Sequence, residues 1–346
     1  MNPQPRPILE KDERAKRVGL PFRRAALASV RSAKRALPVA AALLLLALPL
    51  VVSNQFLLHL GISVLMWTTL GVAWNLLGGY AGQVSFGHAA FFGVGAYTTM
   101  ILYLSFGLAP WYGMVLGGAA GALVSLPIGL ICFRLRGPYF SLATLAVAEI
   151  VRLVALNWEA LTKGPVGLLI TSLPPVTLFG AAINWERKEP FFLIVAVLTL
   201  CAMLAARLLT RARLGSYLLA IREDEDAAES IGIDTTRAKV AALAASAFFA
   251  GVAGGFYGLY FRYVDPDAVF PISLSIEMVF IAVVGGLRTV AGPVVGAVFL
   301  ATIAELFREH FAVGHLIFYG LFMMLVIRYL PEGIWGRALR MLTPHR

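Results

Sequence analysis

Four charged side chains lie inside long apolar stretches, where a charge is costly unless it is paired or has a function. Glu149 and Arg152 are three residues apart, so on a helix they share one face and can form an ion pair. Glu277 and Glu305 lie in later apolar stretches. Charges placed in this way fit two interpretations. They can line a passage for a polar or zwitterionic solute, or they can be a structural ion pair with two further acids near a membrane surface.

Residues 75–97, which read NLLGGYAGQVSFGHAAFFGVGAY, combine glycines with a few polar side chains. Gly82, Gln83, Ser85 and His88 stand near the middle of this stretch. Non-helical backbone at membrane depth is tolerated only inside protein or beside a water-filled cavity. The stretch is therefore either a broken helix that lines a translocation path, or a polar turn near the cytoplasmic surface with His88 hydrogen-bonded in the bundle.

A short charged segment, residues 211–239, interrupts the apolar sequence. Apolar stretches long enough to cross a bilayer flank it on both sides. Its acidic residues are Glu223, Asp224, Glu225, Asp226, Glu229 and Asp234. A loop this polar between two membrane spans is suited to contact with another protein in water. It predicts a membrane subunit that is driven by a soluble partner.

Several kinds of active site are absent from the sequence. It has no GxxxxGK followed by Ser or Thr, so it carries no phosphate-binding P-loop, and it has no HExxH motif. Its two cysteines, Cys132 and Cys201, lie in apolar stretches, and its histidines are scattered. We therefore expect no catalytic residues, no metal site and no cofactor bound by this chain.

The composition is that of a polytopic membrane protein. The chain is 59% hydrophobic and 14% charged, with a mean hydropathy of +0.80, and residues 36–133 contain no Asp, Glu, Lys or Arg. The net charge of +10 is concentrated near the two ends. Basic segments that flank membrane spans fit the positive-inside rule better than nucleic acid binding. The sequence predicts an all-α membrane protein with both termini cytoplasmic.

About ten apolar segments have the length that a bilayer requires. They fall near 37–53, 56–78, 86–106, 111–133, 138–157, 191–209, 239–261, 273–289, 291–308 and 315–331. This predicts a basic cytoplasmic tail over 1–36, a transmembrane domain over 37–331 and a cytoplasmic tail over 332–346. Within the transmembrane domain, we expect a periplasmic loop at 158–190 and a cytoplasmic loop at 210–238.

Small residues recur every four positions in two of these segments, which allows helix backbones to approach closely in lipid. They are Ala247, Gly251 and Gly255 in one segment, and Gly113, Gly117 and Gly121 in the other. We expect helix packing at both.

The sequence resembles the permease subunits of bacterial ABC importers for branched-chain amino acids, and within them the M-type subunit. The resemblance covers about residues 55–335. It is strongest at 75–97, at YFSLATLAVAEIVRLV (139–154), at AIREDEDAAESIGID (220–234) and at SIEMVFIAVVGGLRTVAGPVVGA (275–297).

The resemblance assigns a role to the charged segment. In ABC importers a cytoplasmic loop with the pattern EAA-x-x-x-G forms the helix that docks into the ATPase, and Asp226, Ala227, Ala228 and Gly232 stand at those positions here. Asp replaces the first Glu and keeps its charge. With the neighbouring acids Glu223 and Glu229, these residues are the expected ATPase-coupling residues. A solvated loop helix without a partner is the other interpretation.

The resemblance also implies the partners. These are a homologous H-type permease subunit, two ABC ATPase subunits that bind the ATP, and a periplasmic substrate-binding protein. The chain would lie in the bacterial inner membrane and form part of the path for leucine, isoleucine and valine. Related permeases move urea, short-chain amides or sugars.

Two other classes compete with an ABC permease. One is a proton-coupled secondary transporter with Glu149 or Glu277 as its proton site. The segment from Asp226 to Gly232 fits only the ABC class. The other is a membrane receptor or scaffold, which has no need for glycine-broken spans.

Overall fold

A computed structural model describes residues 41–49, 51–52, 54–173, 177–178, 181–182, 185–310, 320, 324–325, 328–329 and 333–342. The chain divides into two compact units, Met1–Val52 and Ser53–Arg346. In the first unit, residues 41–49 are helical. The second unit contains all the elements named below.

The second unit is largely helical. Its helices are α1 Gln55–Leu77, α2 His88–Phe106, α3 Pro110–Cys132, α4 Pro138–Asn157, α5 Glu159–Thr162, α6 Glu189–Arg211, α7 Arg213–Glu223, α8 Glu225–Ser230, α9 Thr235–Phe261, α10 Pro266–Val269, α11 Ile272–Gly285, α12 Gly292–His310 and α13 Gly333–Leu342. A 3-10 turn covers Gly164–Val166. The strands are short: β1 Leu168–Leu169, β2 Thr177–Leu178, β3 Ala181–Ala182 and β4 Tyr263–Val264.

Among the described residues, seven stretches are long and apolar enough to cross a membrane. They are α1, α2, α3, α4, α6, α9 and the stretch Pro266–Gly285, and α12 contributes a shorter apolar part, Gly292–Ala304. The predicted class, an all-α polytopic membrane protein, is confirmed. The predicted segments at 37–53 and 315–331 lie partly outside the described residues.

Helices α2, α3 and α9 pack through a three-way contact of glycines. A Cβ atom on Gly95 would lie 2.0 Å from the carbonyl oxygen of Gly251, and one on Gly251 would lie 2.8 Å from that of Gly117. A Cβ atom on Gly117 would in turn lie 2.6 Å from the carbonyl oxygen of Gly95. The backbones therefore touch directly, and the packing predicted from the small residues at 113–121 and 247–255 is confirmed.

Helix α1 lies against α6, α9, α11 and α12. Its contact with α6 includes a buried hydrogen bond between the hydroxyls of Thr69 and Thr199, at 2.9 Å. Thr199 also donates to the carbonyl oxygen of Leu65, at 3.0 Å. On the opposite side, a Cβ atom on Gly71 would lie 2.5 Å from the Ile281 side chain. Helix α1 is thus central to the bundle.

The connection after α4 is structured over its first part. Strand β1 pairs antiparallel with β4, with Leu168 opposite Val264. The Tyr103 hydroxyl, near the end of α2, donates to the carbonyl oxygen of Ser172 at 2.6 Å. Strands β2 and β3 form a second antiparallel pair. These contacts hold the start of the predicted 158–190 loop against the ends of α2 and α9.

The stretch Pro266–Gly285 is a broken span. Between α10 and α11, the ring of Phe270 stacks on Tyr97 with centroids 5.8 Å apart, and a Cβ atom on Gly93 would lie 2.1 Å from it. Since Gly93 and Tyr97 are near the middle of α2, the break lies at mid-depth. Helix α11 alone is about 21 Å long, less than the roughly 30 Å of bilayer hydrocarbon. The predicted segment 273–289 therefore began too late, because it left out α10 and the break.

Candidate functional site

The glycine-rich stretch forms a non-helical link between α1 and α2. Residues 82–85 have no regular secondary structure and run beside the start of α4. The Ser141 hydroxyl donates to the carbonyl oxygen of Val84 at 2.6 Å, and the Thr144 hydroxyl accepts from the amide of Phe86 at 3.1 Å. Backbone groups away from water need such partners. Side chains of α4 thus make this link possible.

Ser85 and His88 are enclosed by the bundle. His88 is fully buried, and its Nε2 lies 2.8 Å from the hydroxyl of Ser246 on α9, while its Nδ1 lies 3.2 Å from the Ser85 hydroxyl. Ser246 also donates to the carbonyl oxygen of Ala73, and the Trp74 indole N–H donates to that of Ser85. The two residues therefore join α1, α2 and α9, as expected of a hydrogen-bonded turn.

Gly82 and Gln83 are placed differently, since Gly82 is exposed and Gln83 half-buried. They border a depression of about 540 Å³, which is lined by Gly82, Gln83, Val84, Phe86, Gly137, Pro138, Ser141 and Leu142. Gly82 has φ of +72°, a backbone conformation that favours glycine. Of the four path residues predicted in this stretch, these two reach the surface.

Glu149 and Arg152 form the ion pair that their spacing predicts, and a third residue joins them. Arg152 Nε lies 3.0 and 3.1 Å from the two Glu149 oxygens, and Nη2 lies 2.7 Å from Oε1. Arg152 Nη1 donates to Asp267 Oδ1 at 2.7 Å. Asp267, on α10, was missed from the sequence because it precedes the predicted span. Pro266 and Pro271, which flank the short helix, were the available signal. Glu277 is half-buried on α11, which contacts α4.

The charged segment folds as two short helices, α7 and α8, before α9. Asp224 caps α8 by accepting from the amide of Ala227 at 3.0 Å. At the other end, Gly232 has φ of +87°, its amide donates to Glu229 at 2.9 Å, and the Ile233 amide donates to Ala228 at 3.1 Å. These two bonds form a Schellman motif. The glycine of the predicted pattern is therefore the residue that ends α8.

The two alanines of the pattern lie on opposite sides of α8. Ala228 is 1% exposed and packs inside this chain, whereas Ala227 is exposed. Asp226 is also exposed and pairs with Arg136 at 2.8 Å. The hydrogen bond to Asp226 raises the pKa of Arg136 above its usual value. The surface available to a partner thus includes Asp226 and Ala227, and it does not include Ala228.

The inner side of α8 is held by a buried ion pair. Lys239 is 1% exposed, and its Nζ pairs with the Glu225 carboxylate at 2.5 Å. The same ammonium lies 5.2 Å from the centre of the Phe133 ring. The Thr235 hydroxyl donates to Glu229 at 2.7 Å. Helix α8 is therefore fixed to the first turns of α9 and to the end of α3.

The end of α7 contacts the glycine-rich link after α1 and the turn between α11 and α12. Arg222 Nη1 donates to the carbonyl oxygen of Gly79, and burial lowers the pKa of Arg222 from its usual value. Glu223 lies 3.8 Å from Arg288, whose amide donates to the Asn75 side chain at 3.3 Å. Sequence analysis identified Glu223 but missed both arginines, since their partners are far away along the chain.

The described part of the chain contains no group of three or more His, Cys, Asp or Glu side chains that could hold a metal ion. The site is instead a set of polar contacts at two levels of a membrane bundle. One level is the charged cluster between the middle of the bundle and the start of the 158–190 connection, and the other is the pair of short helices after α6.

A bundle of apolar helices with a broken span and a charged cluster beside that break is typical of a membrane transport protein. The chain belongs to the family described as the permease component of branched-chain amino acid transport systems, which matches residues 36–327.

Individual relatives agree with this family. The chain is 31% identical over 291 residues to the high-affinity branched-chain amino acid transport system permease protein LivM of Salmonella typhimurium, over 78% of this chain and 68% of that protein. It is 30% identical over 317 residues to LivM of Escherichia coli, over 86% and 73%. It is 26% identical over 268 residues to a probable LivH of Methanocaldococcus jannaschii, over 70% and 80%. No solved structure matches the chain significantly.

Proposed function

We propose that this chain is the M-type permease subunit of an ATP-driven importer that carries leucine, isoleucine and valine across the bacterial inner membrane. The observation that carries the proposal is the family match over residues 36–327, together with LivM relatives that are aligned over most of the chain. Those relatives are named for branched-chain amino acid transport. The chain itself acts as a passage, not as an enzyme, and binds no cofactor.

The proposed assembly contains a homologous H-type permease subunit, two ATPase subunits that bind the ATP, and a periplasmic binding protein that delivers the amino acid. The similarity of this chain to a LivH protein supports a partner of the same fold. In this assembly the chain has about ten spans and both termini in the cytoplasm. The basic residues near both ends of the sequence support this orientation.

The proposed ATPase-coupling surface is the exposed side of α8 with its flanking acids. Glu223, Asp226, Ala227 and Glu229 are exposed on it. Ala228 and Gly232 support the helix from within, one by packing and the other by ending it. A small residue at the centre of an exposed, acid-flanked helix supports close docking by a second protein.

The proposed path is lined by Glu149 and Arg152, with Glu277 on the neighbouring α11, and at the cytoplasmic side by Gly82 and Gln83. Ser85 and His88 hold the surrounding helices in place. Charges within the spans that are not fully covered by this chain support a passage there, because a charge facing hydrocarbon is strongly unfavourable.

The experiment is transport by the purified complex. The chain is expressed with H-type, ATPase and binding-protein subunits from the same genome, and the complex is reconstituted in liposomes with ATP inside. We expect uptake of labelled leucine that unlabelled isoleucine and valine inhibit and urea does not. Inhibition by urea or a short-chain amide alone would indicate that the substrate is not a branched-chain amino acid. Leucine uptake that follows a proton gradient without ATP would replace the ABC class by a secondary transporter.

A further inference from the structure

Arg152 stands between two carboxylates, and the two contacts differ. Glu149 is one turn away on the same helix and accepts three close contacts from Nε and Nη2. Asp267 belongs to α10 and accepts a single bond from Nη1. The cluster therefore has one tight ion pair within α4 and one looser pair between α4 and α10.

The cluster lies between the middle of the bundle and the start of the 158–190 connection. Asp267 is three residues before Phe270, which stacks on Tyr97 in the middle of α2, and three residues after Val264, which pairs with Leu168. Helix α10 also contacts the 3-10 turn Gly164–Val166. The looser pair is therefore displaced from the centre of α2 toward that connection.

This chain leaves the cluster open on one side. The Asp267 side chain is 78% exposed, compared with 38% for Glu149 and 23% for Arg152. A carboxylate within a membrane is not stable against hydrocarbon, so the open side faces water or the polar surface of another subunit. Asp267 is the group of the cluster that is most accessible from that side.

We infer that the Arg152–Asp267 pair is a transit site for the two charged ends of an α-amino acid. The pair opens as the solute passes, so that the solute's carboxylate accepts from Arg152 Nη1 and its ammonium donates to Asp267. Glu149 stays on Nε and Nη2 and holds the guanidinium in place. This inference rests on the proposed function and names the groups that would bind the two charged ends of the solute.

Charge balance selects for a zwitterion at such a site. When a zwitterion enters between Arg152 and Asp267, each of the four charges keeps a partner, and no charge is left alone at membrane depth. A neutral amide or urea leaves the separated pair without compensation. An anion or a cation provides a partner for one residue of the pair and leaves the other without one. An ion pair with one largely exposed partner contributes little to stability, so it can open and close readily.

The first test removes the negative charge at position 267. In the reconstituted complex, Asp267→Asn should lower leucine uptake by about tenfold or more, while ATP hydrolysis driven by the binding protein continues. The matched control is Glu159→Gln, which removes one exposed carboxylate on α5 outside the cluster and should stay within about twofold of wild type. Asp267→Asn with wild-type uptake would overturn the inference.

The second test reads access to the site without depending on transport rate. Cys132 and Cys201 are replaced by alanine, and single cysteines are introduced as Ala268→Cys, beside Asp267 and partly exposed, and, at an exposed apolar position of α3, as Leu123→Cys. A charged, water-soluble thiol reagent should modify the cysteine at 268 and not the one at 123, because hydrocarbon disfavours the thiolate. Leucine with its binding protein and ATP should slow the reaction at 268. Equal reactivity at both positions, or no effect of leucine, would overturn the inference.

The two proposals fail in different ways. If the wild-type complex imports none of the branched-chain amino acids, the proposed function is wrong. If it imports them, and Asp267→Asn does so equally well, the function stands and only the transit site is rejected.

Discussion

Arg222, at the end of α7, donates a hydrogen bond from Nη1 to the carbonyl oxygen of Gly79, which lies in the turn after α1. The aliphatic part of the same side chain packs against Gly82, where a Cβ atom would lie 3.0 Å from Arg222 Cγ. One side chain thus connects the segment proposed to meet the ATPase with the glycine-rich link proposed to border the path.

Replacing Arg222 by alanine should uncouple ATP hydrolysis from transport. The contact to Gly79 is a charge-assisted hydrogen bond, worth about 1.5–3 kcal/mol, so its loss frees the link from α7. We expect ATP hydrolysis to continue and leucine uptake to fall by about tenfold. Arg213→Ala, at the exposed start of the same helix, is the control and should transport normally. Equal uptake by both variants would show that Arg222 does not couple ATP hydrolysis to transport.

Arginine at the two adjacent alanines of α8 should affect different properties, ATPase binding in one case and stability in the other. Ala227→Arg places a large charged side chain on the exposed face, so the permease should fold with a Tm near that of wild type and lose its ATPase during purification. Ala228→Arg buries a charge and should destabilise the chain itself by several kcal/mol. Melting curves in detergent and the amount of copurified ATPase separate the two. An Ala227→Arg complex with full ATPase content would remove α8 from the docking surface.

The buried pair of Lys239 and Glu225 should be costly to break from one side only. Lys239→Met leaves the Glu225 carboxylate without its partner in a largely buried position, which costs about 3–5 kcal/mol. The double variant Lys239→Met with Glu225→Gln removes both charges and should recover most of the loss. Thermal unfolding of the purified chain measures both. Failure of the double variant to recover stability would indicate that packing of Lys239 on Phe133 is the larger contribution.

Gly95 should not tolerate even a methyl group. An added Cβ would lie 2.0 Å from a backbone oxygen of Gly251, and backbone cannot move aside as a side chain can. We expect Gly95→Ala to reduce the yield of folded protein strongly. Gly107→Ala is the matched control, since a Cβ there meets nothing within 4 Å. Its only expected destabilisation comes from the backbone φ of +63°, about 1 kcal/mol. Similar yields of the two variants would contradict the three-way contact.

Two serine-to-cysteine variants test the orientation with little change to the chain. Ser172 and Ser230 are both exposed. We expect a cysteine at 172 to react with an impermeant thiol reagent added to spheroplasts, and a cysteine at 230 to react only after lysis. Labelling of 230 in intact spheroplasts, with none at 172, would reverse the orientation.

The length of the apolar segments, and the Gly and Pro residues at their ends, were sufficient to predict most of the spans. The predicted segment 138–157 coincides with α4, because Gly137 and Pro138 precede a continuous apolar run there. The broken span was not predicted, since Asp265 and Asp267 lower the apolarity of the sequence that leads into it. What brings that sequence to mid-depth is the stacking of Phe270 on Tyr97, a contact between residues far apart in the chain.

The candidate site was predictable in part for the same reason. The spacing of Glu149 and Arg152 on one helix was enough to predict their pairing. No local pattern could tell whether His88 faces a cavity or a partner, because the hydroxyl that satisfies it belongs to Ser246 on α9. The sequence does not distinguish a polar residue that lines a path from one that makes a structural hydrogen bond. The distinction depends on which residues surround the side chain in the folded chain.

The contact of Gly95, Gly117 and Gly251 has a mechanical consequence. Helices that meet through side chains can slide when those side chains change rotamer, but here backbone meets backbone and no rotamer exists to change. Helices α2, α3 and α9 should therefore travel as one rigid block through the transport cycle. The movement needed to open and close a passage must then lie in the parts joined to that block by side chains, which include α1, α4, α10 and α11.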